Sequence, residues 1–433
     1  MLINNLKINK SNLLIPIIVI TFCVIIAGIF YPQINILVFG IIIATLLIGS
    51  IDQFYSLLMF LLPFTMIIKL DPSSSSTITY AVILSSLYIL LFRIKKINRR
   101  VAIYSVLCIG FFILRAYTNI ILAIKLISGI CMFVYFVETV KPESFARINL
   151  SFIWGLILSS FLGLYKTEIP QLARYFSDFN MEYIAGETVS RFSGLYLDPN
   201  YFSISIILGI AMCIALFEAR MLIIAKLIIY FVLLIYFGTI SYSRSFFLVL
   251  GIMVILYTLY KVTDIRKVFF SLVCIGIILY ALYYVADYTG LLEGVLYRFE
   301  RGDASGGGGR FETWLMYIKY FIESPLSFFI GDGLAAKTII GGAHNAILSS
   351  IHQFGIIGLL LYSIVLFNIL NSTSFVRKRN LMNYITLIIF VAISMTLDTT
   401  FLNDTIYYFM IIWMNLNINF KNRYTLKPSN KTS

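Results

Sequence analysis

Four short polar signatures interrupt an otherwise apolar chain, and each carries a group able to handle phosphate or a proton. Arg191 opens Arg-Phe-Ser-Gly-Leu-Tyr-Leu-Asp-Pro-Asn at 191–200, and Arg244 closes Ser-Tyr-Ser-Arg at 241–244. Arg310 lies in Gly-Arg-Phe-Glu-Thr-Trp at 309–314, and His344 in Gly-Gly-Ala-His-Asn at 341–345. A guanidinium stays charged at any relevant pH and meets phosphate oxygens bidentately. An imidazole, with an ordinary pKa of ~6.5, is suited to accept a proton from a hydroxyl or merely to orient it. Asn345 either fixes the histidine tautomer or caps the helix that follows.

Plainer readings compete at several of these positions. Asp198 or Asn200 caps a helix with Pro199 at an early position, where its missing N–H costs nothing. Arg244 would also serve as an interfacial anchor. His352, the only other histidine, is eight residues from His344. That is ~12 Å along a helix, too far to share one ion, so no metal site is expected. His352 reads as a hydrogen-bonded packing residue. Lys125 is the odd cation: inside an apolar run it costs about 2.5–3.5 kcal/mol on insertion scales, so it needs a wet cavity or a partner. Arg115 would be close by if the two flanking helices pair.

The elements that must hold these groups are membrane spans. The chain is 60% hydrophobic and 12% charged, with a mean hydropathy of +0.93, far outside soluble averages. Fourteen apolar runs can be drawn: 13–30, 34–50, 54–69, 77–92, 101–116, 118–138, 149–165, 197–217, 221–238, 245–260, 267–287, 346–370, 381–399 and 402–418. Several are near the short limit for crossing ~30 Å of hydrocarbon, so 12 to 14 spans are expected in a single polytopic domain, 1–433.

Orientation follows from charge. With the N-terminus inside, 21 Lys+Arg fall on the cytoplasmic side and 11 outside, with Lys125 in a helix, completing the 33. Arg93–Arg100 and Arg377–Arg379 dominate the inner count, as the positive-inside rule requires. Both termini are then cytoplasmic, and two long loops, 166–196 and 288–345, face outward with the signatures. The net charge of +13 is thus topological, with some attraction to anionic lipid heads and no case for nucleic acid. Residues 13–30 read as a retained helix rather than a signal peptide. Residues 311–323 read as an amphipathic helix that lies in the membrane interface or packs over the bundle's outer mouth, ended by Pro325.

In order and common sidedness, RFSGLYLDPN, SYSR, GRFETW and GGAHN resemble the O-antigen polymerase and O-antigen ligase family, over roughly residues 150–370. The resemblance implies an all-α helical bundle of the GT-C-like kind with two large extracytoplasmic loops, in a bacterial inner or plasma membrane. It implies a metal-independent, cofactor-free glycosyltransferase acting on polyprenyl-diphosphate-linked oligosaccharides as donor and acceptor. On that match Arg191 and Arg244, with Arg310 less securely aligned, bind the lipid diphosphate, and His344 takes the essential histidine's place. Asn345, Lys125 and Arg115 are supporting candidates. A chain-length regulator is a further partner of such enzymes.

Two reactions share these motifs. A polymerase joins the growing glycan to another lipid-linked repeat unit, and a ligase moves the finished glycan to the lipopolysaccharide core. The divergent motif spacing favours the polymerase. A lipid-linked oligosaccharide flippase would have a similar span count, but it keeps its charges within the bundle and its connectors short.

Overall fold

The computed structural model describes residues 13–93, 99–115, 119–176, 181–184, 187–261, 310–333, 343–371, 381–396 and 405–421. Within them the regular elements are helices apart from one short hairpin. The helices are α1 (Leu14–Phe30), α2 (Ile36–Ile48), α3 (Ile51–Leu61), α4 (Thr77–Tyr88), α5 (Arg99–Leu114), α6 (Ile120–Thr139), α7 (Phe145–Leu164) and α8 (Pro170–Ala173). They continue as α9 (Pro199–Glu218), α10 (Ile224–Thr239), α11 (Arg244–Lys261), α12 (Arg310–Glu323), α13 (Pro325–Ile330), α14 (Ala346–Asn371), α15 (Leu381–Thr396) and α16 (Thr405–Lys421). Thirteen of the fourteen apolar runs coincide with a helix, and the remaining run, 267–287, lies outside the described residues.

Four described stretches are long and apolar enough to cross a membrane: Ile120–Thr139, Pro142–Leu164, Pro199–Glu218 and Ala346–Asn368. Six more apolar helices are shorter. The chain is a polytopic helical membrane protein.

The starts of several helices are written locally. Ser50 and Gln53 form a reciprocal capping box at α3, and Ser76 and Asn119 cap α4 and α6. Each satisfies backbone N–H groups that the helix cannot pair itself. The centre of the bundle is α9, which is 83% buried over its span and packs against α7, α10, α11, α15 and α16. Polar ties join helices where apolar contact has no direction. Tyr55 donates to the Met132 carbonyl at 2.9 Å, Asn149 to Asn415 at 3.2 Å, and Ser205 and Tyr408 share a bond of 2.7 Å. In hydrocarbon such bonds fix helix register.

The hairpin is a departure from the purely helical expectation. Strands β1 (Met181–Ile184) and β2 (Glu187–Ser190) pair antiparallel, Met181 opposite Ser190 and Ile184 opposite Glu187. It stands in the first long loop and ends one residue before Arg191. Thr188 and Val189 are β-branched and Gly186 lies between the strands, a weak hairpin signal that the surrounding apolar runs obscure.

Helix α14 is broken at Gly355 (φ 69°, ψ 174°). The break frees carbonyls that an intact helix would pair. The amides of Asp332 and Gly333 take them up, donating to the carbonyls of His352 at 2.8 Å and Gln353 at 3.1 Å. A Cβ on Gly355 would lie 2.2 Å from the Phe329 carbonyl oxygen, so the α13 turn docks directly on the break. Irregular backbone at this depth survives only where protein satisfies it.

Candidate functional site

The first signature is built onto the second. Residue 191 leaves β2, and the Phe192 amide donates to the Ile240 carbonyl at 3.4 Å. Arg191, 7% exposed, donates through Nε to the Ser241 carbonyl at 3.3 Å. Ser243 Oγ donates to Asn200 Oδ1 at 3.2 Å and accepts from Ser203 Oγ at 3.0 Å. Asp198 caps α9 by accepting from the Asn200 amide at 2.6 Å, with Pro199 at the first turn. Of the two candidate caps, Asp198 is the one used, and the Asn200 side chain instead crosses to the Ser-Tyr-Ser-Arg turn. Arg244 is the first residue of α11 and partly buried. The structure therefore brings Arg191 against the turn that presents Arg244.

Glycine is required here for a spatial reason. Gly194 has φ +54°, and a Cβ on Gly163 of α7 would meet the Gly194 backbone at 2.6 Å. The signature loop thus lies directly on α7, an approach only hydrogen permits.

Beneath that loop is a cation the sequence reading passed over. Lys166, 7% exposed, donates to Ser193 Oγ at 2.8 Å and lies 5.5 Å from the centre of the Phe176 ring. Ser193 Oγ in turn donates to the Tyr196 carbonyl at 2.7 Å. Burial pushes the Lys166 amine down to about 8. In the sequence it is one lysine at a helix end, and only the fold seats it two residues from Arg191.

The other two signatures also meet. Trp314 of α12 donates its indole N–H to the Ala343 carbonyl at 2.8 Å, next to His344. Arg310 begins α12, one helical turn before Trp314. His344 is exposed and in the left-handed region, φ 44°, a position strained for a non-glycine residue. Asn345 caps α14, its Oδ1 accepting from the amides of Ile347 at 3.0 Å and Leu348 at 3.2 Å. Of its two readings, capping is the one the geometry gives. Gly309, Gly341 and Gly342 lie outside the described residues.

Helix α12 is wrapped differently from expectation. Its buried side is Tyr317 and Phe321, packed with Ala343 and Ile351. Phe311, Leu315, Ile318 and Ile322 are exposed, in helical register along another face. Packing against the bundle and an outward apolar stripe thus coexist on one helix. His352 is the packing residue expected, with a partner the sequence did not announce. Its Nε2 is 3.2 Å from Asp332 Oδ2, Asp332 also accepts from Tyr320 and Ser327, and Tyr317 and Tyr320 flank the ring.

Arg115 and Lys125 turn to different partners although α5 and α6 pack together. Arg115 donates to the Gly331 carbonyl and so braces the α13 turn. Lys125 donates to Ser75 Oγ at 3.3 Å. The Arg191–Arg244 region and the α12–His344 region both touch α15. The Asn345 amide reaches Met395 Sδ at 3.8 Å, and α15 packs on both α9 and α11.

Residues 229–363 match the family model described as O-Antigen ligase. The stretch is under half of the chain, and takes in the Arg244 turn, α12 and the His344 turn, with Arg191 ahead of it. The resemblance read from the signatures is borne out there. No curated protein and no solved structure matches the chain. Members of the matched family are glycosyltransferase-like membrane enzymes.

Proposed function

We propose that this protein is a polysaccharide repeat-unit polymerase, for O-antigen or capsule, working at the extracytoplasmic face of a bacterial inner or plasma membrane. Its substrates would be polyprenyl-diphosphate-linked oligosaccharides, the growing chain as donor and a single repeat unit as acceptor. The observation that supports this best is the joining of the signatures in pairs, Arg191 onto the Arg244 turn and α12 onto the His344 turn.

The chemistry assigned to them is one displacement. An acceptor hydroxyl oxygen bonds to the donor's anomeric carbon as the bond from that carbon to the diphosphate oxygen breaks. His344 accepts the hydroxyl proton, and the electron pair leaves on the diphosphate. Arg191 and Arg244, with Arg310 as a third candidate cation, stabilise that growing charge in a site partly withdrawn from water. The strained backbone at residue 344 suits a side chain held in position by its surroundings.

The decisive experiment is reconstitution of the purified protein with a lipid-linked repeat unit. Wild type is expected to produce a ladder of products, and His344→Ala and Arg191→Ala, at equal abundance, none. Ladders from both variants would return the chain to the transporter class. The matched description favours a second reading, ligation of finished glycan to the lipid A core. Gene deletion separates the two: cells limited to one repeat unit indicate a polymerase, and unattached full-length polymer indicates a ligase.

A further inference from the structure

A second cationic site lies away from these signatures. Lys69 and Lys125 line a cavity of about 290 Å³ between α4, α6 and the segment that leads into α4, with room for about ten water molecules. Its other polar walls include Ser74, Ser75, Ser76 and Ser128, with Thr65 and Thr79. Lys125 donates to Ser75 Oγ at 3.3 Å and Lys69 to the Pro72 carbonyl at 3.2 Å. Each ammonium has three protons, and each uses one of them in these bonds. Among the described residues neither lysine is in an ion pair. The nearby Asp71 carboxylate is turned to the amide and hydroxyl of Ser73. Lys125 is close enough to oppose the charge of Lys69, with Asp71 partly offsetting it, and an anion between the two ammoniums would relieve that repulsion.

The surroundings select the kind of anion. Elsewhere on the two helices that form it, α4 exposes Tyr80, Leu84 and Leu87, and α6 exposes Ile120, Ile121 and Ile124. A polar pocket on helices that also bear apolar, outward faces suits a phosphate head carrying a lipid tail. Cations also lead from it toward the first signature. Lys69 and Arg174 both act on Asp71, Arg174 stacks on Tyr175, the next residue, Phe176, lies under Lys166, and Lys166 holds Ser193.

We propose that the Lys69–Lys125 pocket is a second site for a lipid-borne diphosphate, holding the acceptor while the Arg191–Arg244 turn holds the donor. The acceptor assignment rests on the polymerase reading, because only that reaction needs two diphosphate lipids. The pocket's affinity for lipid-borne phosphate does not.

The test titrates full-length protein, in phosphatidylcholine nanodiscs, with farnesyl diphosphate. Wild type is expected to bind two equivalents, and Lys69→Gln/Lys125→Gln and Arg191→Ala/Arg244→Ala one each. Loss of the lysine site should weaken that equivalent about tenfold or more, and Lys69→Arg/Lys125→Arg should restore it. A thermal unfolding midpoint for the Gln variant no lower than wild type's, expected since it removes a repulsion, guards against misfolding. Two equivalents in the Gln variant would overturn the proposal. Competition by phosphatidylglycerol or inorganic phosphate, equal to that of farnesyl diphosphate, would make the pocket a bulk-lipid or free-phosphate site and overturn the acceptor role. If the lysine equivalent is present but no polymer forms, the polymerase reading fails and the pocket stands. If wild type polymerises and the Gln variant's KM for repeat unit is unchanged, the pocket fails and the reading stands.

Discussion

Replacing Lys166 with methionine should stabilise the protein while weakening its hold on substrate. The amine is lowered from 10.5 to about 8 by burial, so at pH 7 the fold carries an ammonium it disfavours. The difference of about 2.5 units corresponds to about 3 kcal/mol at 1.36 kcal/mol per unit. Below pH 8 folded and unfolded chains are both protonated and the full penalty applies. Between pH 8 and 10.5 the unfolded chain binds the extra proton, so stability rises with pH. Above that range the penalty is gone. Methionine fills the space of the stem but loses the bond to Ser193, at a cost of about 1 kcal/mol. Lys166→Met should therefore be more stable by about 2 kcal/mol at pH 7, with the advantage fading by pH 10. Unfolding midpoints of both proteins, measured in one detergent from pH 7 to 10, give the difference directly, and other titrating groups cancel. A variant less stable than wild type at pH 7, or a gap that widens with pH, would refute the reasoning. A diphosphate beside Ser193 would offset the amine's burial, so the same variant should bind farnesyl diphosphate more weakly.

Other outcomes follow from the geometry. Gly355→Ala must place a side chain in a conformation reserved for glycine and against the Phe329 carbonyl. It should cost about 3 kcal/mol or more, seen as lost folded yield, whereas Gly40→Ala, with open space around it, should be tolerated. Trp314→Phe keeps an aromatic ring, smaller than the indole, and deletes the bond to Ala343. The loss of about 1.4 kcal/mol in placing the His344 turn predicts a tenfold fall in kcat, and an unchanged kcat would show that the turn is held by other means. Asn345→Asp retains the acceptor that caps α14, so it should keep activity, while Asn345→Ala should lower stability by about 1 kcal/mol. Equal loss of activity in both would point instead to an amide that orients His344.

Taken alone, the residues determine the spans, because apolar length and the cost of burying backbone in hydrocarbon leave helices as the only economical form. They also single out the groups able to bear chemistry, since few polar residues interrupt the runs, and they specify the Asp198 cap, whose carboxylate acts within its own turn. What they could not reveal is pairing across distance. Arg191 meets Ser241, Trp314 meets Ala343 and His352 meets Asp332 only after helices have packed, and no local propensity encodes those neighbours. The same holds for the buried state of Lys166 and for the meeting of Lys69 and Lys125 at one cavity. An ammonium's cost and its use depend on the dielectric and charge around it, and the chain supplies those only when folded.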